Sequence, residues 1–283
     1  ENLKNEKILN FKNNNHKLFS TVKNFELYNH LFSELKKNRL IKFKKKFDYL
    51  NFKKDEYKLI FNCEYNNLIT KKFFSKKIDK NYNSCAFTTI IKHERLLNNY
   101  TASQTFTKIG PIAFLPISST ETSVVYSIKD KKNVNLENLI KKYNNKYKII
   151  KINKPTSFQL KSSNLRSYYY KNILAFGDLL HKLHPLAGQG FNMTIRDIKE
   201  IHRLIKYKIQ CGLDLDSSIC IDFEKKIKHR NYIFSNGIDF IYEFFNFENK
   251  INSNILSKSI QYFGKNKIVN RIFTKFADNG IVI

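Results

Sequence analysis

Apolar residues in the first part of the chain recur at a spacing close to that of an α-helix. Between residues 24 and 37 they fall at Phe25, Leu27, Leu31, Phe32 and Leu35. This spacing places most of them on one side of a helix and predicts an amphipathic helix over residues 24–37. A short apolar run at residues 59–61 then predicts a buried strand.

The middle of the chain carries short runs rich in β-branched and aromatic residues. Four such runs, separated by Asn, Gly and Ser segments, lie at 85–91, 101–107, 112–117 and 122–128. Runs of this length and composition are typical of strands joined by turns, so this block predicts a mainly antiparallel sheet. A helix is predicted over residues 136–143. Residues 158–177 are expected to hold two or three further strands, the last at 172–176.

After residue 190 the pattern becomes helical almost to the end, with helices predicted over 191–209, 217–245 and 255–263. The sequence contains no internal repeat and no low-complexity linker. Of its 283 residues, 42% are apolar, which suffices to bury a substantial core and argues against a disordered chain. No run approaches the roughly 18 consecutive apolar residues of a membrane-spanning helix, so the sequence predicts none.

The chain is strongly basic, since 51 Lys and Arg against 24 Asp and Glu give a net charge of +27. Its densest basic run, residues 36–58, alternates lysines with aromatic and aliphatic residues. Such a run could line a nucleic-acid groove or bind an anionic lipid surface, but strands and loops with solvated lysines explain it best. The cysteines at positions 63, 85, 211 and 220 form no Cys-x-x-Cys pair. They indicate neither a disulfide framework nor a zinc site, and a reducing compartment is expected.

The segment with the clearest chemical signal is residues 173–197, ILAFGDLLHKLHPLAGQGFNMTIRD. Asp178 follows a predicted strand, where a carboxylate can accept hydrogen bonds from sugar or ribityl hydroxyl groups. Gly188 and Gly190 precede a predicted helix, where the backbone can approach a planar or anionic ligand closely and unpaired N–H groups stabilise negative charge. Each residue also has an ordinary structural interpretation, as a helix N-cap for Asp178 and as a tight turn for the glycines.

As a combination, GDxxHxxHPLAGQGxNxxxRD resembles the second flavin-binding motif of the FAD-dependent aromatic hydroxylases, and in particular their ubiquinone-biosynthesis branch (2-polyprenyl-phenol hydroxylase-like). Gln104, Phe106 and residues 110–116, GPIAFLP, resemble the substrate-sheet signature of the same family. Phe223, Glu224, Arg230 and the helix 236–245 resemble its C-terminal helical region, which ends near residues 276–280. The similarity runs from about Phe25 to the end of the chain.

The resemblance implies an α/β fold of the para-hydroxybenzoate-hydroxylase type. Its FAD-binding domain would be incomplete at the amino terminus, with an inserted antiparallel β-sheet substrate domain and a helical C-terminal region. We expect the remainder of the FAD-binding domain at residues 1–83 and the substrate sheet at 84–160. The second FAD-binding motif is expected at 161–200 and the helical region at 201–283.

The resemblance also implies which residues bind FAD. Gly177 and Asp178 would meet its ribityl and pyrophosphate groups. The residues expected around the isoalloxazine edge are Pro185, Ala187, Gly188, Gln189, Gly190, Phe191 and Asn192. Phe114, Leu115 and Pro116 are candidates for the substrate pocket, with plain sheet core as the equal alternative. Because the cofactor carries the reaction in this family, no catalytic side chain and no metal are expected, and His181 and His184 are interpreted as shaping the loop.

The implied activity is flavin monooxygenation, in which a flavin C4a-hydroperoxide transfers one oxygen atom from dioxygen to the ring of a polyprenylated phenol in ubiquinone biosynthesis. NADH, NADPH or another donor would reduce the flavin. The expected partners are an anionic membrane surface and a quinone-synthesis complex, and no nucleic acid. The protein would be cytoplasmic and peripheral on the inner membrane.

Two departures from the family pattern support a competing hypothesis. The family's N-terminal G-x-G-x-x-G turn is missing, because all eight glycines lie at or after Gly110. The chain begins with Glu1 rather than Met, so a fragment of a longer reading frame or a natural truncation would explain this. Residues 62–65, Asn-Cys-Glu-Tyr, stand where the family has a Gly-Ala-Asp-Gly type motif, and Tyr65 takes the place of a glycine beside the cofactor. The alternative is therefore a degenerate, noncatalytic partner in a quinone-synthesis complex. A nucleic-acid-binding module rests on charge alone.

Overall fold

A computed structural model describes residues 8, 10, 18–44, 56–129, 135–184, 188–251, 258–262 and 266. Its helices are α1 (Asn24–Lys37), α2 (Leu68–Phe73), α3 (Leu136–Tyr143), α4 (Gln189–Gln210) and α5 (Ser218–Ile251). Its strands are β1 (Ile60–Asn62), β2 (Lys77–His93), β3 (Ser103–Thr107), β4 (Gly110–Pro116), β5 (Glu121–Lys129), β6 (Ile149–Ile152), β7 (Thr156–Leu165), β8 (Tyr169–Tyr170), β9 (Ile173–Ala175) and β10 (His181–Lys182). The described strands form two sheets.

The larger sheet has the strand order β10-β7-β2-β5-β4-β3, with β6 also paired to β2. Every pairing in it is antiparallel, which confirms the antiparallel sheet predicted for this part of the chain. The long strand β2 organises the sheet, because it pairs with β7 along one edge and with β5 along the other. Strand β10, which follows the Gly-Asp turn, joins the same sheet through β7.

The two faces of this sheet pack against different helices. Alternate residues such as Ile112, Phe114 and Tyr126 form a buried core with Ile140 of α3. The opposite face is covered by α5, whose side chains are in contact with β2, β3 and β7. The contact residues are Tyr82, Ala86 and Leu160 with Tyr242, and Phe106 stacked on Phe245 with ring centroids 3.7 Å apart. Because side chains alternate between the faces of a strand, neighbouring positions on β4 belong to different environments.

The smaller sheet has the order β1-β9-β8, in which β1 and β9 are parallel and β8 is antiparallel to β9. Ile173, Leu174 and Ala175 of β9 are all buried, as expected for a central parallel strand covered on both faces. They belong to a core cluster that includes residues of α4 and α5, such as Ile201 and Phe223. This packing fixes the end of β9, and therefore the Gly-Asp turn, relative to both long helices.

Strongly periodic elements match their predictions closely. Helices α1 and α3 have the predicted ends, and α4 covers its predicted range with a few further residues. Helix α5 runs over 218–251, whereas the predicted range is 217–245. The sequence missed α2, β6 and β10, which are six, four and two residues long, too short for a clear period. Of the predicted helix 255–263, residues 258–262 are described and are helical. The domain division stays a prediction, and its limits at 83 and 160 fall within β2 and β7.

Candidate functional site

The candidate site begins where the parallel strands β1 and β9 end. Their register places Asn62 beside Ala175, so the chain leaves both strands at the same edge of the sheet. The Phe176 N–H donates to the Asn62 carbonyl at 2.9 Å, which holds the two exits together. Gly177 then turns the chain with φ +63°, in the left-handed region that favours glycine. The exposed Asp178 follows in a short 3-10 turn, so its carboxylate stands at the carboxyl edge of the parallel pair.

The segment after β1 is tied into a hydrogen-bonded cluster at the start of α2. The buried Asn62 side chain donates to Thr70 Oγ1 at 2.8 Å and accepts from Asn67 Nδ2 at 2.6 Å. Asn67 caps α2 by accepting from the Thr70 N–H at 2.7 Å, and Thr70 Oγ1 donates to the Glu64 carbonyl at 2.6 Å. The cluster therefore fixes the backbone at Glu64, two residues after the end of β1.

Tyr65, the residue that replaces a glycine of the family motif, has its side chain on β2. Lys77 Nζ donates to the Tyr65 hydroxyl at 2.5 Å and lies 4.5 Å from the centroid of its ring. The ring is partly exposed, and its contact with the ammonium is of the cation–π type. The structure thus gives this tyrosine a packing partner at the start of β2.

The N-terminus of α4 provides backbone donors without a side-chain cap. Gly188 occupies the N-cap position with φ +64°, it makes no side-chain cap hydrogen bond, and the first turn contains no acidic residue. Among the described residues, a Cβ atom at Gly188 or Gly190 would meet no atom within 4 Å. Exposed Phe191 and Asn192 follow, and Asn192 Nδ2 donates to Gln189 Oε1 at 3.4 Å. The N–H groups of the first turn have no partner within the helix, and they stand at its positive end beside two glycines. Such a helix start fits an anionic, planar ligand such as a flavin dinucleotide.

The start of the glycine loop is anchored by a buried pair that the sequence did not predict. His181 Nε2 and Asp197 Oδ2 lie 2.5 Å apart, and both side chains are almost fully buried. Asn231 of α5 donates to Asp197 Oδ1 at 3.2 Å. These contacts join β10, α4 and α5. The interpretation of His181 as a residue that shapes the loop stays a prediction. The sequence carries a signal for a buried partner of Asp197, because Asp197 lies on the same side of α4 as Met193 and Ile201, and that side is buried.

His184, the second histidine of the motif, is buried between two tyrosine rings. Its ring centroid lies 4.8 Å from that of Tyr82, edge to face, and 4.3 Å from that of Tyr242. Burial lowers the pKa of His184 from 6.5 to about 4, and the nearby Lys80 ammonium acts in the same direction. The imidazole is therefore neutral at physiological pH.

The predicted site residues divide between described and undescribed parts of the chain. Pro185 and Ala187 lie outside the described residues. Phe114 lies in the core on the α3 side of the sheet, and Pro116 shares its alternate, buried positions on β4. Leu115 is half-buried on the face that carries Phe106 and that α5 covers. The FAD and substrate assignments stay predictions.

Comparisons with known proteins find sequence relatives whose names refer to ubiquinone or ubiquinol. No protein-family model matches the chain. It is 23% identical over 126 residues to "Ubiquinone biosynthesis monooxygenase COQ6, mitochondrial" of Schizosaccharomyces pombe, covering 44% of this chain and 26% of that protein. It is 28% identical over 120 residues to the Dictyostelium discoideum protein of the same name, covering 42% and 23%. It is 26% identical over 149 residues to "3-demethoxyubiquinol 3-hydroxylase" of Escherichia coli, covering 49% and 38%.

These relatives are much longer than the region they share with this chain, which spans between 23% and 38% of their lengths. Among solved structures, p-nitrophenol 4-monooxygenase PnpA from Pseudomonas putida matches with a TM-score of 0.62 at 11% identity, covering 80% of this chain and 60% of that one. A single-residue variant of Klebsiella pneumoniae HpxO complexed with FAD matches with a TM-score of 0.59 at 8% identity, covering 78% and 61%. At such identity a structural match shows the fold alone, and it confirms the predicted para-hydroxybenzoate-hydroxylase-like fold. In sequence the chain is similar, over part of its length, to proteins named as a ubiquinone biosynthesis monooxygenase and a 3-demethoxyubiquinol 3-hydroxylase.

Proposed function

We propose that this chain belongs to an FAD-dependent monooxygenase that hydroxylates the aromatic ring of a polyprenylated phenol in ubiquinone biosynthesis. The observation that carries the proposal is the arrangement at the carboxyl edge of β1 and β9. There the exposed carboxylate of Asp178 follows the end of β9, and the chain leads from it through β10, which the His181–Asp197 pair ties to α4, towards the uncapped start of α4. The names of the sequence relatives support the ubiquinone branch.

In this proposal the chain's own residues bind and orient the cofactor. Asp178 accepts hydrogen bonds from ribityl hydroxyl groups, and Gly177 allows the turn that presents it. The N–H groups that follow Gly188 stabilise negative charge on the flavin ring, and Gly190 leaves room for the ring against the backbone. The bound flavin would supply the oxygen-activating chemistry, and the protein would keep water from the reacting ring.

We also propose the reactants and location that the relatives suggest. NADH, NADPH or another donor would reduce the flavin, and dioxygen would be the second substrate. A prenyl tail partitions into lipid, and the net charge of +27 favours an anionic surface, so a peripheral attachment to the membrane suits such a substrate. No described helix has the length and apolar character needed to cross a membrane.

The test is flavin retention by the full reading frame that contains this chain. The protein is passed through gel filtration, and its absorbance spectrum gives the ratio of FAD to polypeptide. We expect about one FAD per chain for the wild type and a much lower ratio for Asp178→Ala, because that change removes the hydroxyl acceptor. Asp214→Ala is the matched control, since this carboxylate is also exposed but lies in the loop between α4 and α5.

Equal FAD content in wild type and Asp178→Ala would contradict the assignment of Asp178. If the wild-type protein stays colourless in excess FAD, the noncatalytic relative becomes a better hypothesis than the enzyme. If FAD is retained, polyprenylated phenols are the substrates to screen, with oxygen consumption and hydroxylated product as the readouts.

A further inference from the structure

An open groove runs along α5, on the side of the helix that faces the turn between β7 and β8, and its volume is about 760 Å³. One wall is a single side of α5, because its lining residues recur every three or four positions, as in Ile221, Lys225, Lys228 and Tyr232. The other wall includes Ile78 of β2, Leu165 of β7 and Arg166 of the turn. Pockets for small molecules have volumes of about 300–1,000 Å³, so this groove has room for a ligand.

Hydrogen bonds hold the two walls of the groove together. Glu224 Oε2 on α5 accepts from the Tyr168 N–H at 2.8 Å, and Asn164 Nδ2 on β7 donates to Ser235 Oγ on α5 at 2.9 Å. Glu224 Oε1 also accepts from Lys228 Nζ at 2.7 Å. The walls are therefore fixed relative to each other, and the negative charge of Glu224 is already matched by an ammonium group.

The groove carries further positive charge that no described carboxylate neutralises. Arg166 on one wall and Lys225 on the other are exposed, and neither side chain makes an ion pair or hydrogen bond with another described residue. His229, one helical turn after Lys225, adds positive charge when it is protonated. Because the unpaired cations stand on opposite walls, both attract an anionic group placed between them. Charge complementarity therefore selects an anionic ligand.

Aliphatic side chains form the second part of the lining. Leu165 is buried, Ile221 is half-buried, and Ile78 is 46% exposed. The helical wall from Ile221 to Tyr232 is about 16 Å long, which gives length for a headgroup and the first part of an acyl chain. An inorganic anion gains nothing from such apolar surface, whereas an amphiphile buries its chain against it. The combined lining fits a phospholipid with an anionic headgroup.

The aromatic residues of the groove argue against a nucleic acid as its ligand. Grooves for single-stranded nucleic acids stack the bases on exposed aromatic rings. Of the three described tyrosines in the lining, Tyr168 is 2% exposed and Tyr169 packs against the core around β9, so only the ring of Tyr232 is largely free. One free ring provides no row of stacking surfaces. A tyrosine at the rim of the groove suits a membrane interface, where its apolar ring and polar hydroxyl meet different surroundings.

We propose that this groove binds the headgroup of an anionic phospholipid, with the lipid phosphate between Arg166 and Lys225. The first part of an acyl chain lies along Ile78, Leu165 and Ile221. The proposal rests on the membrane attachment in the proposed function and gives that attachment a place on the molecule. The net charge of +27 attracts the protein to an anionic surface in any orientation, whereas a fixed groove determines which face meets the lipid.

The test is sedimentation of the full reading frame that contains this chain with phosphatidylcholine vesicles, prepared with and without phosphatidylglycerol. Arg166→Gln combined with Lys225→Gln should weaken binding to the anionic vesicles about twentyfold, since each cation at an anionic surface contributes about fivefold. Arg95→Gln combined with Lys151→Gln is the matched control, because it removes the same charges at two exposed positions by the other end of β2. That end lies roughly 45 Å along the strand from Ile78, far beyond the Debye length of about 10 Å, so the control should stay within about twofold of wild type.

A second arm separates a lipid from a free anion. Dihexanoyl phosphatidylglycerol, used below its micelle concentration, should compete with the vesicles, and inorganic phosphate at the same concentration should not. Ile78→Ser should weaken vesicle binding about fivefold, because it removes apolar surface from the contact with the chain. If the double variant at the groove does not fold, Lys225→Gln alone should still weaken vesicle binding about fivefold.

Equal losses in the groove variant and the control would overturn the proposal, because they would show a diffuse attraction by the whole charge. So would inorganic phosphate that competes as well as the short-chain lipid, or a single-stranded oligonucleotide that the groove binds while anionic vesicles stay unbound. The FAD content of each sample separates the two proposals. Retained FAD with no effect of the groove variant rejects only this inference. Binding through the groove in a protein that stays without FAD rejects only the proposed flavin chemistry.

Discussion

Acidification should destabilise this protein through His184. Burial lowers the pKa of this imidazole from 6.5 to about 4 in the folded state. In the unfolded chain the same group takes up a proton near pH 6.5, so between these values the unfolded state binds more protons than the folded state. Stability therefore rises with pH across this window, and it is lost as the pH falls from about 6.5 to about 4.

The size of the effect follows from the shift. One pKa unit corresponds to about 1.4 kcal/mol, so the change from 6.5 to about 4 gives a loss of about 3 kcal/mol between pH 7 and pH 4. That is a large part of a typical free energy of unfolding of about 5–15 kcal/mol. Carboxylates with lowered pKa values, such as Glu121 and Glu200, also lose stabilising contacts on acidification, so a comparison between variants is needed.

The assay is urea unfolding of wild type, His184→Phe and His202→Phe at pH 7 and pH 4. Phenylalanine cannot take up a proton, so His184→Phe should lose about 3 kcal/mol less than wild type over this interval. His202 is exposed on α4, and its replacement should leave the pH dependence as in wild type. Equal losses in wild type and His184→Phe would refute the assignment of a buried, neutral imidazole.

Two further substitutions test the packing around the site, each by urea unfolding. Gly110→Ala should cost about 3 kcal/mol or more, because φ is +138° and a Cβ atom would lie 2.0 Å from the Ser127 carbonyl oxygen; a loss below about 1 kcal/mol would contradict this geometry. Gly237→Ala, at an exposed position of α5 where a Cβ would meet no described atom within 4 Å, is the control. A double-mutant cycle of Asp197→Ala with His181→Phe should give a coupling energy of about 2 kcal/mol, and additive losses would show that the short contact contributes little.

Elements whose structure depends on residues close together in sequence could be predicted from the sequence. Helix α3 combines an apolar stripe with Asn135, whose side chain accepts from the Asn138 N–H at 3.2 Å and fixes the first turn. Strand β10 has two residues, and it exists because β7 offers backbone partners. No local pattern can show such a partner, since the pairing joins residues 181–182 to residues 163–164 on another strand.

The candidate site likewise has features that the sequence could predict and features that only the folded chain provides. The turn at Gly177 and the N-cap at Gly188 both require a left-handed backbone, so glycine at these positions is a local signal and the sequence could predict it. The aromatic walls around His184 come from β2 and α5, and only the folded chain brings them to one place. The fold thus supplies the environment that lowers the pKa of this histidine.

For Asp197 the sequence predicts that a buried polar partner exists, but not which residue it is. It follows Met193 and precedes Ile201 at intervals of four residues, on the side of α4 that is buried. A carboxylate at such a position needs a buried donor, because burying it alone would cost several kcal/mol. The helical period therefore predicts that a polar partner exists, and the two histidines of the adjacent motif are the nearest candidates. Choosing His181 and leaving His184 unpartnered requires the pairing of β10 with β7, which the fold alone provides.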